Sequence, residues 1–119
     1  MLPKQNRITL TKEFEKFFGP KFKRGGGRSL STAAFVFKAI KNGLDDSRFG
    51  FMVGTKVDNR ASVRNKVKRR LRAIAHDNLE RLIGGIDFLV VAMKPAATLE
   101  FDEVKTQMAE FFKKTRVLK

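Results

Sequence analysis

The chain has no cysteine, no tryptophan and no tyrosine, only three prolines and a single histidine. Without cysteine there is no disulfide and no thiolate ligand for zinc, a composition that fits a reducing cytosol. Carboxylates are scarce as well: 12 Asp and Glu stand against 26 Lys and Arg, for a formal net charge of +14 at pH 7. That imbalance costs self-repulsion unless a polyanion offsets it, so the expected partner is nucleic acid or an anionic surface. Long apolar runs are missing. The longest, 33–37 and 88–93, fall far short of the roughly 20 residues that a membrane-spanning helix needs. The opening residues MLPKQNRITL carry no signal-like apolar core. The expectation is a cytoplasmic protein without membrane association.

What is present suits one folded unit, 1–119, with 42% hydrophobic residues and 12 phenylalanines to build a core. Leu10, Phe14, Phe17 and Phe18 recur at helical spacing, which predicts a first helix capped by Thr11 and stopped by Gly19-Pro20. Residues 21–31, KFKRGGGRSLS, read as a mobile basic loop that runs into a short strand. Residues 32–40 form a strand, followed by a turn through Asp45-Asp46. In the next strand, 48–55, Phe49, Phe51 and Val53 alternate with Gly50, Met52 and Gly54. One face can therefore pack on helices, while the other is shallow enough to admit a chain. A long helix over about 60–83 carries Val63, Val67, Leu71, Ile74, Asn78 and Leu82 on one side. Residues 87–93 read as a central strand, and a last helix carries Leu99, Val104, Met108, Phe111 and Phe112, with the basic tail 113–119 expected to fray. The fold class expected is α+β: a two-layer α-β sandwich with helices on a small mixed sheet, in the order α-β-β-(β)-α-β-α.

Between Lys56 and Arg72 stand Lys56, Arg60, Arg64, Lys66, Lys68, Arg69, Arg70 and Arg72 against one acid, Asp58. Arg64, Lys68 and Arg72 follow one another at i, i+4, i+8, with Asn65 and Arg69 beside them, so one flank of a core-packed helix becomes a cationic ridge. Like charges at this spacing destabilise an isolated helix by a few tenths of a kcal/mol per pair. A solvated helix face is the plain alternative; the charge of the whole chain favours phosphate. Phe14 and Phe18 offer stacking faces, although spacing alone also allows them to be core.

Groups that could do chemistry are weak. His76 is isolated, Asp45-Asp46 looks like a turn, and Glu100, Asp102 and Glu103 look like the acidic start of a helix. Neither a catalytic constellation nor a metal site is expected in the protein. The Gly25-Gly26-Gly27 run lacks the Gly-Lys-Ser/Thr ending of a phosphate-binding loop.

The segment TKVDNRASVRNKVKRRLR, 55–72, resembles the signature of the bacterial ribonuclease P protein family. Arg64-Asn65-Lys66-Val67-Lys68-Arg69 and Arg72 stand in the signature's places, and Lys56 and Arg60 also look like family positions. Lys66 departs from it, replacing an Arg; the charge is kept and a bidentate or stacking contact is lost. Asn6-Arg7, Phe14, Phe18, Arg48-Phe49-Gly50 and Met93-Lys94-Pro95-Ala96 occur in family order. The resemblance implies a left-handed βαβ crossover, against the usual preference. It implies a protein subunit whose partners are a catalytic RNA and precursor tRNA, with no DNA. Lys56, Arg60, Arg64, Asn65, Lys66, Lys68, Arg69 and Arg72 would contact the catalytic RNA; Arg7, Phe14 and Phe18 would border a cleft for the 5′ leader. The chemistry would belong to the RNA and its Mg2+, with no cofactor held by the protein. A ribosomal or assembly protein, a self-sufficient nuclease and a DNA-binding protein are the competing readings. The last lacks a helix-turn-helix or zinc pattern.

Overall fold

The computed structural model describes residues 2–119. Four strands, β1 (Arg28–Ser31), β2 (Phe35–Lys41), β3 (Arg48–Met52) and β4 (Ile86–Ala92), form one sheet in the order β1-β2-β4-β3. β4 is antiparallel to β2 and parallel to β3. Two longer helices, α3 (Ala61–Asn78), which joins β3 to β4, and α4 (Phe101–Lys114), pack on one face, and two short ones, α1 (Thr11–Phe14) and α2 (Pro20–Arg24), precede the sheet. The mixed α/β build and the extra strand before β2 agree with the expectation.

Strand alternation divides the core. Phe35, Phe37, Ala39, Phe49, Phe88 and Val90 project to one side, where they meet Leu71 and Ile74 of α3 and Met108, Phe111 and Phe112 of α4. Phe49 and Phe88 stack with ring centroids 4.7 Å apart, and Phe88 meets Phe112 edge-on at 5.5 Å. Such ring pairs add about 0.5–1.5 kcal/mol each beyond area burial. A smaller cluster of Ile8, Phe17, Phe22 and Leu89 lies on the opposite face, under the N-terminal turns.

Those turns differ from the single helix expected. Thr11 is the first helical residue rather than a cap, and after Phe14 the chain tightens into a 3-10 turn at Glu15–Phe17. The tightening buries Phe17 and leaves Phe18 extended and outside. Gly19 then takes φ 85°, a left-handed conformation suited to glycine, and Pro20 opens α2 where its missing N–H is no loss. Part of the expected basic loop is therefore helix. The long helix ends at Asn78 in a 3-10 turn, Leu79–Arg81. Residues 113–119, expected to fray, are tied down instead. Val117 is buried, the Ile83 N–H donates to its carbonyl at 2.8 Å, and the Lys119 N–H donates to the Arg81 carbonyl at 2.7 Å.

Asp87, inside the apolar central strand, is fully buried. Its Oδ1 accepts from Asn42 Nδ2 at 2.8 Å and Arg48 Nε at 2.9 Å, and its Oδ2 accepts from Arg48 Nη2 at 2.6 Å and from the Lys16 ammonium. Glu13 of α1 pairs with Arg48 at 2.7 Å. Burial pushes the Asp87 carboxyl up, but the hydrogen bonds from Arg48, Asn42 and Lys16 outweigh it and hold the group below the usual carboxylate range. The bond to Asp87, with a second to Glu13, raises the Arg48 guanidinium above its ordinary value against the opposing effect of burial.

Replacing Asp87 with Ala leaves Glu13 as the one carboxylate for both Arg48 and Lys16 in this cluster and is expected to cost about 3 kcal/mol in urea denaturation. Because the folded-state pKa is depressed, this carboxylate stabilises above its unfolded value of about 3.9, and the contribution is lost as pH falls from there through the folded value. Asp87→Asn should correspondingly flatten the acid limb of the stability curve, read as melting temperature against pH.

Candidate nucleic-acid interface

The sheet face opposite α3 and α4 is ordered in transverse rows by strand register. Ile40, Asp87 and Arg48 form one row, Lys38, Leu89 and Gly50 the next, and Val36, Val91 and Met52 a third. The ion cluster holds α1 and its 3-10 turn over the first two rows. In the third, Val36 and Val91 are half-buried and Met52 is 41% exposed, so this row is the open floor of a cleft. Phe14 and Phe18 stand beside it. Phe18 is 47% exposed, with the Lys38 ammonium 4.4 Å from its ring centroid. Phe14 lies over Gly50, where an added Cβ would come 2.5 Å from Phe14 Cε1. The shallow face expected at β3 is real, and at Gly50 it admits the protein's own phenylalanine.

The basic helix begins where Asp58 accepts the Arg60 N–H at 2.8 Å, an Asx turn that positions the first turn of α3. Side-chain hydrogen bonds from Arg60 to the same carboxylate, followed by that backbone bond, hold Asp58 down at about 2. Arg60 thus has an internal carboxylate partner. Arg64 bends back, its Nη1 donating to the carbonyls of Asp58 at 3.0 Å and Asn59 at 2.7 Å. Lys56 and Arg60 share a shallow depression with Lys94, which the 3-10 turn after β4 brings across. Lys94 was no candidate from sequence; only the pairing of β3 with β4 places it here.

Lys68 and Arg72, one and two turns after Arg64, line a cavity of about 230 Å³ together with Arg7, Phe14, Gly50 and Phe51. Residues expected on two surfaces, Lys68 and Arg72 on one and Arg7 and Phe14 on the other, line this one cavity. Arg7 is exposed and donates Nε to the Leu2 carbonyl at 2.8 Å. Asn65 and Arg69 are exposed beside the ridge. Lys66 is also exposed but lies about 160° around the helix axis from Lys68. On that side Arg70 Nη1 donates to the Leu99 carbonyl at 2.9 Å, a bond between α3 and the segment before α4. His76 is exposed, with Nδ1 3.8 Å from Asp77 Oδ1. Among the described residues, no group of three or more His, Asp or Glu is placed to hold a metal ion, and no helix is long and apolar enough to cross a membrane.

A partly open sheet face with Phe14 and Phe18 over it, and a cavity that Phe14 shares with Lys68 and Arg72 of the basic helix, define a small basic α/β protein of the kind that binds nucleic acid. The sequence model of the family described as Ribonuclease P matches residues 2–116. The ribonuclease P protein component of Shouchella clausii is 35% identical over 118 residues, 98% of this chain and 91% of the relative. That of Bacillus velezensis is 34% identical over 119 residues, 99% of this chain and 96% of the relative. Among solved structures, the RNase P protein from Thermotoga maritima superposes with a TM-score of 0.74 at 31% identity, covering 91% of this chain and 96% of the other. The chain belongs to the ribonuclease P protein family, the non-catalytic protein subunits of the ribonucleoprotein that processes precursor tRNA.

Gly50→Ala is expected to force Phe14 off the sheet and cost about 1–3 kcal/mol by overpacking. Most of that cost should vanish in a Phe14→Ala background, a double-mutant cycle measurable by urea denaturation.

Proposed function

We propose that this chain binds the catalytic RNA of ribonuclease P through the α3 ridge and seats the 5′ leader of precursor tRNA in the cleft beside Phe14 and Phe18. The observation that carries the reading is the cavity where Arg7 and Phe14 of the N-terminal segment meet Lys68 and Arg72 of the helix. A strand leaving the cleft would pass directly onto the ridge. Val36, Val91 and Met52 offer an apolar floor with no hydrogen-bonding side chain to read a base edge, so the contact should tolerate any leader sequence. On the helix, Asn65, Lys66, Lys68, Arg69 and Arg72 supply exposed or half-exposed polar groups to RNA, and Lys56, Arg60 and Arg64 extend the surface past its N-terminus.

The protein's contribution is binding. The leader separates precursor from product, and a subunit that grips it raises affinity for the former alone; phosphate neutralisation lowers the demand for counterions around the RNA. Cleavage of one phosphodiester belongs to the RNA, whose Mg2+ ions supply positive charge at the attacking and leaving oxygens. This chain's residues are assigned no metal.

The test is multiple-turnover and single-turnover cleavage of a precursor tRNA by a bacterial catalytic RNA at low magnesium, with and without the protein, alongside protein alone. Stimulation only in the mixture is expected. Activity of the protein alone would assign chemistry to its own side chains, and no effect in any mixture would favour an RNA-assembly role. Arg72→Ala should weaken both catalytic-RNA affinity and leader discrimination, and lower the slope of log K against log salt by about one. An effect confined to one of the two would separate the surfaces that the cavity joins.

A further inference from the structure

Lys38 is a basic residue outside the helix, and it sits in the middle of the cleft face. Its strand neighbours across the sheet are Ser29 on β1 and Leu89 on β4. The ammonium donates to the Phe17 carbonyl at 2.8 Å. It also stands 4.4 Å from the centroid of the Phe18 ring and 5.1 Å from that of Phe22. No carboxylate lies within 4.0 Å of it among the described residues; the acids on this face, Asp87 and Glu13, are engaged with Lys16 and Arg48. A half-buried cation without an acid is stabilised here by two ring faces and one carbonyl.

The consequence falls on Phe18. The residue follows the last 3-10 turn with extended backbone, precedes a glycine at φ 85°, and has nearly half of its surface in solvent. Little apolar packing fixes such a ring, and an unfixed ring loses rotamer freedom when a base stacks on it. Lys38 supplies what packing does not: it binds the carbonyl of the preceding residue and one region of the ring together.

We propose that Lys38 is a positioning residue for leader binding, holding the Phe18 ring by a cation–π contact so that the ring is set to receive a base before RNA arrives. This inference rests on the reading of the cleft as the leader's seat. Lys38 acts through Phe18 and not as a phosphate contact of its own, which separates it from the cations of α3.

The experiment uses the complex of this protein with a bacterial catalytic RNA and compares affinities for precursor tRNA and leaderless tRNA under conditions that suppress cleavage. Lys38→Met keeps the length of the stem and removes the charge; it is expected to lower leader discrimination about two- to fivefold. Lys38→Arg should restore it. In a Phe18→Ala background the Lys38→Met effect should disappear, and the salt slope should stay unchanged in either background. An effect that persists without Phe18 and lowers the slope by about one would make Lys38 a phosphate contact and overturn the proposal. So would full discrimination by Lys38→Met. Absence of discrimination in the unmodified complex would remove the leader reading itself, and this inference with it. Should Lys38→Met fail to fold, NMR of the unmodified protein decides: the Lys38 ε-methylene protons are expected upfield from ring currents, and random-coil positions would overturn the proposal.

Discussion

Everything on the cleft side of the sheet depends on one buried carboxylate. A charge in the central strand of a small sheet is tolerable only if its hydrogen-bonding capacity is met by donors brought to it. Asp87 receives them from three places: Lys16 in the N-terminal turns, Asn42 after β2, and Arg48 on the neighbouring strand. Glu13 then takes up the second charge of the pair of bases. Two acids and two bases are thereby balanced in one cluster that clamps the N-terminal segment to one end of the sheet.

That clamp explains why the other end is open. The N-terminal turns cover two transverse rows of side chains, and after Gly19 the chain continues into α2, whose Phe22 is buried in the same cluster on this face. The third row has no element over it to match the two long helices on the reverse face. A thick aromatic core on that reverse side, with Phe35, Phe37, Phe49, Phe88, Phe111 and Phe112 all buried, lets the sheet serve as a stiff floor. Rigid walls and a rigid floor reduce the entropy that binding a flexible strand would otherwise cost. The cations of α3 are fixed by the same packing, since Leu71 and Ile74 bury one side of the helix and turn Lys68 and Arg72 towards the cavity.

Composition and local periodicity determined a great deal about this protein. The charge excess named a polyanionic partner, the 3.6-residue pattern located α3 and its ridge, and the alternation in β3 separated a packing face from a shallow one. These are properties of consecutive residues, and short-range geometry is enough to read them. The signature in 55–72 carried the family, and it was that resemblance, not their spacing, that put Phe14 and Phe18 forward as cleft residues.

What the chain order could not reveal depends on residues far apart in sequence. Asp87 looked like the edge of an apolar run, because its partners lie 71, 45 and 39 positions away. Nothing in the local pattern marks Lys38 within its strand; the turn after Glu15 brings Phe18 over it. The tail was expected to fray because it is basic and terminal, yet tertiary pairing with 81–83 holds it. Arg7 and Phe14 of the N-terminal segment and Lys68 and Arg72 of α3 line one cavity because β3, carrying Gly50 and Phe51, lies between them. Sequence periodicity reports which side of an element is buried; only the packing of strand on strand and turn on sheet decides which buried or exposed groups become neighbours.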